Sequence, residues 1–372
     1  MNILYVASTL SRSGPTNQLY SLISCLNKRK YKATVLTLSP EKKDSRWHDF
    51  EDIGVKVVSL NMNRIEAFFR ARSAIKKYLK ELSIDILHTQ GIRADLLSYL
   101  LKDKVIKVST AHNYPQLDFP LTYGKFVGRG MAHVQHISFS GMDKVFCVSR
   151  SVEENLNNKF KIFKTECILN GVKSLKKDCY SSTSYRKEFR TSLGLPQDSV
   201  IWIATGHLSE RKNPLELISG FTAAFGDDPE NILIMLGDGP LRKEVEKISS
   251  RSKNIKIVGR VKDVSKYLNV SNYFCSCSSA EGLPMAAIEA MSCGLPLLLS
   301  NIPPHLELLS LDETVGCSYA QGEIEDLKNN IMQLRKKDYS SVSVQCLNVY
   351  NKFLSDVEMA FQYGRSYELL QK

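Results

Sequence analysis

Long apolar runs are missing from this sequence: no uninterrupted stretch approaches the roughly 18 residues that a membrane-spanning helix needs. The first residues, MNILYVAST, also lack the basic lead-in and extended apolar core of a secretory signal peptide. We therefore expect neither a transmembrane helix nor a signal peptide, and we interpret this segment as a first β-strand. The expected location is the cytoplasm.

Paired cysteine motifs are missing as well. The nine cysteines include no Cys-x-x-Cys pair, and most of them lie in apolar segments. This pattern is typical of buried, reduced thiols and argues against a disulfide or zinc framework. His133 and His136 are three residues apart, but no further ligand follows at suitable spacing, so we expect no metal site there.

The 372 residues, 43% apolar and 24% charged, fit two globular domains of ordinary size. The net charge of +11 is unevenly distributed. Residues 1–180 hold 29 Lys and Arg against 16 Asp and Glu, a balance of +13, whereas residues 181–372 hold 21 against 23, a balance of −2. An excess confined to one half indicates either a polyanionic partner, such as an anionic membrane or nucleic acid, or a solvated lysine-rich surface.

Short apolar segments alternate with segments of helical spacing along both halves. Strands are predicted at residues 3–7, 34–38, 55–60, 84–88, 105–110 and 144–148, and again at 200–205, 232–236, 255–258, 273–275 and 295–299. Such alternation predicts two doubly wound, Rossmann-like α/β domains that face a central cleft. A linker is predicted at residues 174–185, which gives domains at 1–178 and 179–349, with a C-terminal helix at about 350–372 that completes the first domain.

The most informative segment is SSAEGLPMAAIEAMSCGLP, residues 278–296, where two carboxylates flank a Gly-Leu-Pro turn. Proline favours the first helical position, so a helix is predicted to begin near Pro284, with Glu281 before it and Glu289 inside it. Gly282 allows a close approach of the backbone, and the free N–H groups at the helix start suit phosphate or sugar oxygens. The plainer alternative is a helix with an acidic first turn.

Further candidates follow other predicted strands, where open α/β sheets bind ligands. Arg211 and Lys212 lie in the loop GHLSERKNP, and adjacent cations there would meet the charge of a departing diphosphate. A third loop, GDGP at residues 237–240, again joins a strand to a helix. In the first half, Gly14 lies in a short glycine turn and His112 follows a strand, each weak evidence by itself.

Taken in order, these motifs resemble the retaining glycosyltransferases called group 1 or family 4, which share the GT-B fold. The family signature, a Glu, seven residues and a second Glu, followed by a Gly-x-Pro turn, resembles EGLPMAAIEAMSCGLP. DILHTQG, TAHN, VSRSVEENL, ILNGV, GHLSERKNP, GDGP and VGR extend the resemblance through the whole chain.

The resemblance implies a role for each matching position. Glu281 would hold hydroxyls of the donor sugar, Glu289 the ribose hydroxyls, and Lys212 the diphosphate; His112 would lie near the transferred sugar. The implied catalytic residues are His112, Lys212 and Glu281. The implied donor-binding residues are Gly14, His207, Arg211, Lys212, Gly259, Arg260, Glu281, Gly282, Leu283, Pro284, Met285 and Glu289.

Two positions depart from the family pattern. His207 stands where the family usually has arginine, and Arg211 is a candidate to supply the missing cation. Lys173 replaces the acid of the family's NGVD-like turn, so we assign it no role. The sequence has no Asp-x-Asp, the metal–diphosphate motif of the other major glycosyltransferase fold, and transfer without a metal or cofactor is expected.

The resemblance implies transfer of a hexose or N-acetylhexosamine from a nucleotide sugar, UDP-linked before GDP-linked, to a saccharide acceptor. Family analogy and the basic first half favour a lipid-linked intermediate of O-antigen, capsule or lipopolysaccharide, with peripheral association of residues 62–80 with the inner face of the membrane. Phe68 and Phe69 of that segment are expected to pack on the sheet. The stretch 114–140 has no clear strand or helix at its start and is a candidate acceptor loop.

Three alternatives remain open from the sequence alone. A nucleotide-sugar 2-epimerase shares the fold and would release an altered sugar. A basic nucleic-acid-binding protein would explain the charge, although no zinc-finger or RNA-binding motif is present. A non-catalytic homologue is suggested only by His207.

Overall fold

The computed structural model describes residues 1–177, 180 and 182–372, and the chain divides into two compact units. The first unit comprises Met1–Gly171 and Asp356–Lys372, and the second comprises Val172–Ser355. Three residues of the predicted linker, including Cys179, lie outside the described residues.

The boundary lies seven residues before the predicted junction at 178/179 because Val172 already bonds with the second unit. Its N–H donates to the Leu354 carbonyl at 3.0 Å, and its own carbonyl accepts from the Tyr350 hydroxyl at 2.9 Å. The C-terminal helix of the first unit accordingly begins at Asp356, later than the predicted start near residue 350.

The first unit is built on a seven-stranded parallel sheet in the order β3-β2-β1-β4-β5-β6-β7. Its strands are β1 (Asn2–Ala7), β2 (Lys32–Thr37), β3 (Lys56–Ser59), β4 (Ile86–Gln90), β5 (Ile106–Ala111), β6 (Lys144–Cys147) and β7 (Thr165–Cys167). The helices that precede Gly171 in this unit are α1 (Gly14–Cys25), α2 (Trp47–Asp52), α3 (Arg64–Glu81), α4 (Ile92–Leu100), α5 (Pro115–Tyr123), α6 (Lys125–Ser140) and α7 (Arg150–Phe160). The short strand β7 was not predicted, since only three residues form it.

Both faces of this sheet are covered, which explains the nearly continuous apolar strands. Along β1, Ile3 and Tyr5 pack into one core, whereas Leu4 and Val6 pack into the core on the other face. The C-terminal helix, Asp356–Leu370, closes the first of these cores with Tyr363 and Tyr367.

Helix α3 packs differently from the prediction. Its buried face consists of Ala67, Ala71, Ile75 and Leu79, which are spaced four residues apart and lie in the same core as Leu4 and Val6 of β1. Phe68 and Phe69 therefore point to solvent, 60% and 71% exposed. The expectation that these phenylalanines pack on the sheet was wrong.

The segment proposed as an acceptor loop is a pair of helices, α5 and α6. They approach closely at Gly128, where an added Cβ would lie 2.4 Å from backbone atoms of Phe119 and Pro120. The glycines that obscured the helical pattern thus include one that the helix crossing requires.

The second unit is built on a six-stranded parallel sheet in the order β10-β9-β8-β11-β12-β13. Its strands are β8 (Val200–Thr205), β9 (Asn231–Leu236), β10 (Ile255–Gly259), β11 (Tyr273–Ser276), β12 (Leu297–Ser300) and β13 (Gly316–Tyr319). Its helices are α8 (Thr183–Ser192), α9 (Pro214–Phe225), α10 (Arg242–Ser249), α11 (Val264–Val270), α12 (Met285–Ser292), α13 (Pro303–Ser310), α14 (Ile324–Lys336) and α15 (Tyr339–Val349). Each unit is thus a doubly wound α/β domain, as predicted.

Two further findings complete the fold. The eight described cysteines are free thiols, and four of them are fully buried. Among the described residues, every helix is too short or too polar to cross a bilayer.

Candidate functional site

The candidate site lies at the carboxyl edge of the second sheet. Because β8, β9, β10, β11 and β12 are parallel, the loops that follow them emerge at the same edge. Four of those loops carry residues singled out from the sequence: 206–213, 237–241, 259–260 and 277–284.

Three glycine-containing loops are tied together by main-chain hydrogen bonds at this edge. The N–H of Gly237 donates to the Gly259 carbonyl at 2.8 Å, and the N–H of Leu208 donates to the Asp238 carbonyl at 3.1 Å. Gly237 has φ +137°, and an added Cβ would lie 1.7 Å from the Gly206 carbonyl oxygen. The glycines of GDGP are therefore needed for close contact between neighbouring loops.

The loop after β8 forms a short 3-10 turn at Glu210–Lys212 before α9 begins. Asn213 follows it in the left-handed region, with φ 46°. The buried Glu216 carboxylate accepts a hydrogen bond from the Asn213 side chain and another, at 2.7 Å, from the Gly322 N–H. Glu216 was not predicted as a site residue, and it fixes the loop that carries the two cations.

Glu281, in the loop after β11, brings both cations together. Its Oε1 lies 2.5 Å from Lys212 Nζ, and its Oε2 lies 3.0 Å from an Arg211 guanidinium nitrogen. The same Arg211 nitrogen donates to the Ala280 carbonyl at 2.6 Å. We call Arg211, Lys212 and Glu281 the Glu281 cluster. It joins the loops of two neighbouring strands, and it also places the proposed substitute cation Arg211 directly against Glu281.

The electrostatics of the cluster follow from this geometry. Burial alone would raise the pKa of Glu281, but Lys212 and Arg211 outweigh it and hold that pKa at about 2. The cluster therefore carries a carboxylate at neutral pH, together with two partly buried cations. A carboxylate accepts hydrogen bonds from hydroxyls, and the cations attract phosphate oxygens.

Glu289 is the fifth residue of α12, just over one turn from its start. Burial raises the pKa of Glu289 to about 7, although the nearby Lys212 acts in the opposite direction. Among the residues that the structure describes, its side chain has no hydrogen-bond or ion-pair partner. Helix α12 begins at Met285, one residue later than predicted, because Pro284 has ψ 95° and acts as its N-cap.

His305 is a residue that the sequence reasoning missed. It lies in the first turn of α13, after β12, and is fully buried. Its Nδ1 lies 2.9 Å from the Ser300 hydroxyl and 3.0 Å from the Ser300 carbonyl. The sequence did offer a signal for His305, a polar residue soon after a predicted strand. The same signal indicated Arg211, Lys212 and Glu281.

The remaining predicted residues are more scattered. His207 and Arg260 are exposed, whereas Gly259 is buried with φ +86°. The turn residues Gly282, Leu283 and Pro284 are buried in the second unit. Their proposed contacts with a donor stay predictions.

Two predicted site residues belong to the first unit. Gly14 begins α1 and is exposed, with open space where a Cβ would lie. His112 follows β5, its Nε2 is buried without a hydrogen-bond partner in the described chain, and burial lowers its pKa to about 4. His112 is therefore neutral at pH 7.

No group of three His, Cys, Asp or Glu side chains within residues 1–177, 180 and 182–372 is arranged to hold a metal ion. His133 is exposed, and His136 is stacked against Phe160 with a centroid distance of 3.4 Å.

Comparison with known families identifies the chain. Residues 185–344 match the family described as glycosyl transferases group 1, and residues 12–174 match Glycosyltransferase Family 4. The protein is a group 1 glycosyltransferase. The two matches cover most of both units and include the Glu281 cluster, Glu289, Gly14 and His112.

Relatives and solved structures agree with this glycosyltransferase family. The chain is 25% identical over 388 aligned positions to the O-antigen biosynthesis glycosyltransferase WclY of Escherichia coli, covering 100% of this chain and 99% of that protein. It is 24% identical over 291 positions to an E. coli UDP-Gal:alpha-D-GlcNAc-diphosphoundecaprenol alpha-1,3-galactosyltransferase, covering 76% of this chain and 74% of that protein. The crystal structure of Anabaena HepE with UDP-glucose superimposes with a TM-score of 0.80 at 18% identity, over 99% and 100% of the two chains. The glycosyltransferase fold is thus GT-B.

Proposed function

We propose that this glycosyltransferase transfers a hexose or N-acetylhexosamine from a UDP-sugar to a lipid-linked saccharide, with retention of configuration and without a metal ion. The observation that carries the proposal is the Glu281 cluster, in which two cations and a buried carboxylate meet at the carboxyl edge of the second sheet. GDP-linked sugars are the second choice of donor.

The proposed contacts with the nucleotide sugar follow from the charges in the Glu281 cluster. Lys212 and Arg211 are fixed cations in a partly buried loop, and such groups stabilise the charge that develops on a departing diphosphate. They would perform the electrostatic work that a metal ion performs elsewhere. Glu281 would accept hydrogen bonds from hydroxyls of the sugar, and Glu289 would accept them from the ribose.

Relatives support the donor and acceptor classes. The galactosyltransferase named above uses UDP-Gal and a diphosphoundecaprenol-linked GlcNAc, and WclY is named for O-antigen biosynthesis. The HepE structures contain UDP, UDP with glucose, or UDP-glucose. We therefore place a bacterial surface polysaccharide intermediate first among acceptors. The role implied for His112, in the first unit, stays a prediction.

A peripheral contact with an anionic membrane would bring such an acceptor to the enzyme. The first half carries the positive balance of +13, and α5 and α6 expose a set of apolar side chains. Those side chains are Leu117, Leu121, Tyr123, Phe126 and Val127, which we call the α5–α6 apolar surface. Lys125 and Arg129, both exposed, lie among them in sequence. Apolar insertion and attraction to anionic lipid act together on such surfaces.

The test is a binding and turnover panel of UDP- and GDP-sugars, with thermal stabilisation of the wild type and of Glu289→Ala as the first readout. The expected result is stabilisation by a UDP-sugar that the variant loses, followed by slow release of UDP. Transfer is then assayed with diphosphoundecaprenol-linked sugars. Release of a free, altered sugar would favour the epimerase, and the absence of any nucleotide-sugar binding would overturn the proposal.

A further inference from the structure

The two ring nitrogens of His305 differ: Nδ1 is hydrogen-bonded to Ser300, and Nε2 has no partner among the described residues. Within the described residues, its Nε2 is buried and has no hydrogen-bond partner. Its Nδ1 contacts the Ser300 carbonyl oxygen at 3.0 Å. A carbonyl oxygen can only accept, so Nδ1 must carry the proton that it donates. Nε2 of the neutral ring is then a bare acceptor.

Hydrogen bonds connect the ring to the loop that carries Glu281. The Ser300 hydroxyl donates to the Ser278 carbonyl at 2.6 Å and accepts from the ring at 2.9 Å, so it links the loops after β11 and β12. Glu281 lies three residues after Ser278, and its charge acts on His305. The pKa of His305 is nevertheless lowered to about 4, because burial outweighs that carboxylate.

We propose that His305 Nε2 accepts a hydrogen bond from a hydroxyl of the transferred sugar and thereby helps to select the donor. This inference rests on the proposed function, since it assigns a residue to the sugar part of that donor site. It makes His305 a specificity-determining residue beside Glu281.

The chemistry of Nε2 distinguishes a sugar hydroxyl from a phosphate. An uncharged nitrogen lone pair repels the acceptor oxygens of a diphosphate, whereas a hydroxyl donates to it. A buried acceptor that already lacks a partner favours a ligand that can donate to it, because only such a ligand adds the missing hydrogen bond. Lys212 and Arg211 supply the opposite chemistry, so the same edge offers cations for phosphate and acceptors for hydroxyls.

Two substitutions separate this role from a structural one. His305→Asn places an amide N–H near the position of Nδ1, so it keeps a donor to Ser300 but has no acceptor at the Nε2 position. His305→Gln places an amide oxygen near Nε2 and keeps the acceptor. Leu306→Ala, at an exposed neighbour on the same helix, is the control.

The affinities for UDP and for the best-bound of UDP-glucose, UDP-galactose and their N-acetylated forms are measured by calorimetry. We expect His305→Asn to weaken UDP-sugar binding about tenfold while UDP binding changes by less than about twofold, and His305→Gln to recover much of the loss. Equal weakening of both ligands, or no weakening of either, would overturn the inference while leaving the proposed function intact. A wild-type protein that binds UDP and no UDP-sugar would overturn both.

Discussion

Oε1 of Glu281 lies 2.5 Å from Nζ of Lys212, although the two residues are 69 positions apart in the chain. The contact forms because β8 and β11 are neighbours in the sheet and the loops after them share one edge. Arg211 completes the arrangement from the other side of the carboxylate. The carboxylate that is proposed to hold the sugar is thus also the group that holds the proposed diphosphate cations in place.

Glu281→Gln tests whether the negative charge of this carboxylate contributes to sugar transfer. The amide is similar in size but cannot balance two cations, so we expect a fall in kcat/KM of about 100-fold in the transfer assay. Glu210→Gln changes an exposed carboxylate in the neighbouring turn and should leave kcat/KM within about twofold of the wild type. If Glu281→Gln retains wild-type activity, the cluster is structural and not part of the donor site.

Glu289→Gln should change the pH dependence of stability. Folding raises the pKa of Glu289 from 4.5 to about 7, so the folded state favours the protonated form. Ionisation of this carboxyl therefore costs stability as pH rises from about 4.5 to about 7, and the full cost is present above that range. We expect the variant to melt a few degrees above the wild type at pH 8 and at the same temperature near pH 4.

The control for that experiment is Glu313→Gln, at an exposed position of the same unit. Its melting difference from the wild type should stay constant over the whole pH range. A Glu289→Gln difference that is equally constant would contradict a raised pKa of Glu289.

Gly237→Ala should be strongly destabilising. Its Cβ would overlap the Gly206 carbonyl oxygen at 1.7 Å, and φ +137° is unfavourable for any L side chain. We expect a loss of about 2–4 kcal/mol, measured by denaturant unfolding. Gly226→Ala is the matched control, because Gly226 has φ +56° but open space around it, so only backbone strain of about 1 kcal/mol is added. Equal losses would show that the loop contact is unimportant.

The part of the candidate site that could be predicted follows from one rule: the loops after parallel strands emerge at the same edge of the sheet. Strand positions follow from short apolar segments, and parallel order then requires that Lys212 and Glu281 emerge at one edge. The strand order itself is a tertiary property, which is why the link from Ser278 through Ser300 to His305 was missed. Nothing in the local sequence shows that β11 and β12 are neighbours.

Helix packing sets a second limit on prediction. Apolar residues on α3 fit more than one helical stripe, and the stripe that packs into the core contains Ala67 and Ala71, which leaves Phe68 and Phe69 exposed. In α6, Gly128 weakens the local helical signal, yet it is needed where Phe119 passes. Both outcomes depend on contacts between elements that are far apart in sequence or separated by a turn.

The α5–α6 apolar surface provides the last prediction. Phe126 is 87% exposed in the basic half of the chain, and insertion of its ring into a bilayer would remove that apolar area from water. We expect the wild type to sediment with phosphatidylglycerol-containing vesicles and not with pure phosphatidylcholine, and Phe126→Ser to weaken binding about tenfold. Added salt should weaken wild-type binding, because it screens the basic residues.

Phe163→Ser is the control, since Phe163 is a 71% exposed phenylalanine of the same unit outside α5 and α6. It should bind anionic vesicles like the wild type. If both variants lose binding equally, the attraction reflects general surface hydrophobicity, and if neither does, the membrane contact lies elsewhere, for example at Phe68 and Phe69 on the basic helix α3. In either case the α5–α6 apolar surface would lose its assigned role, while the proposed donor site in the second unit would be unaffected.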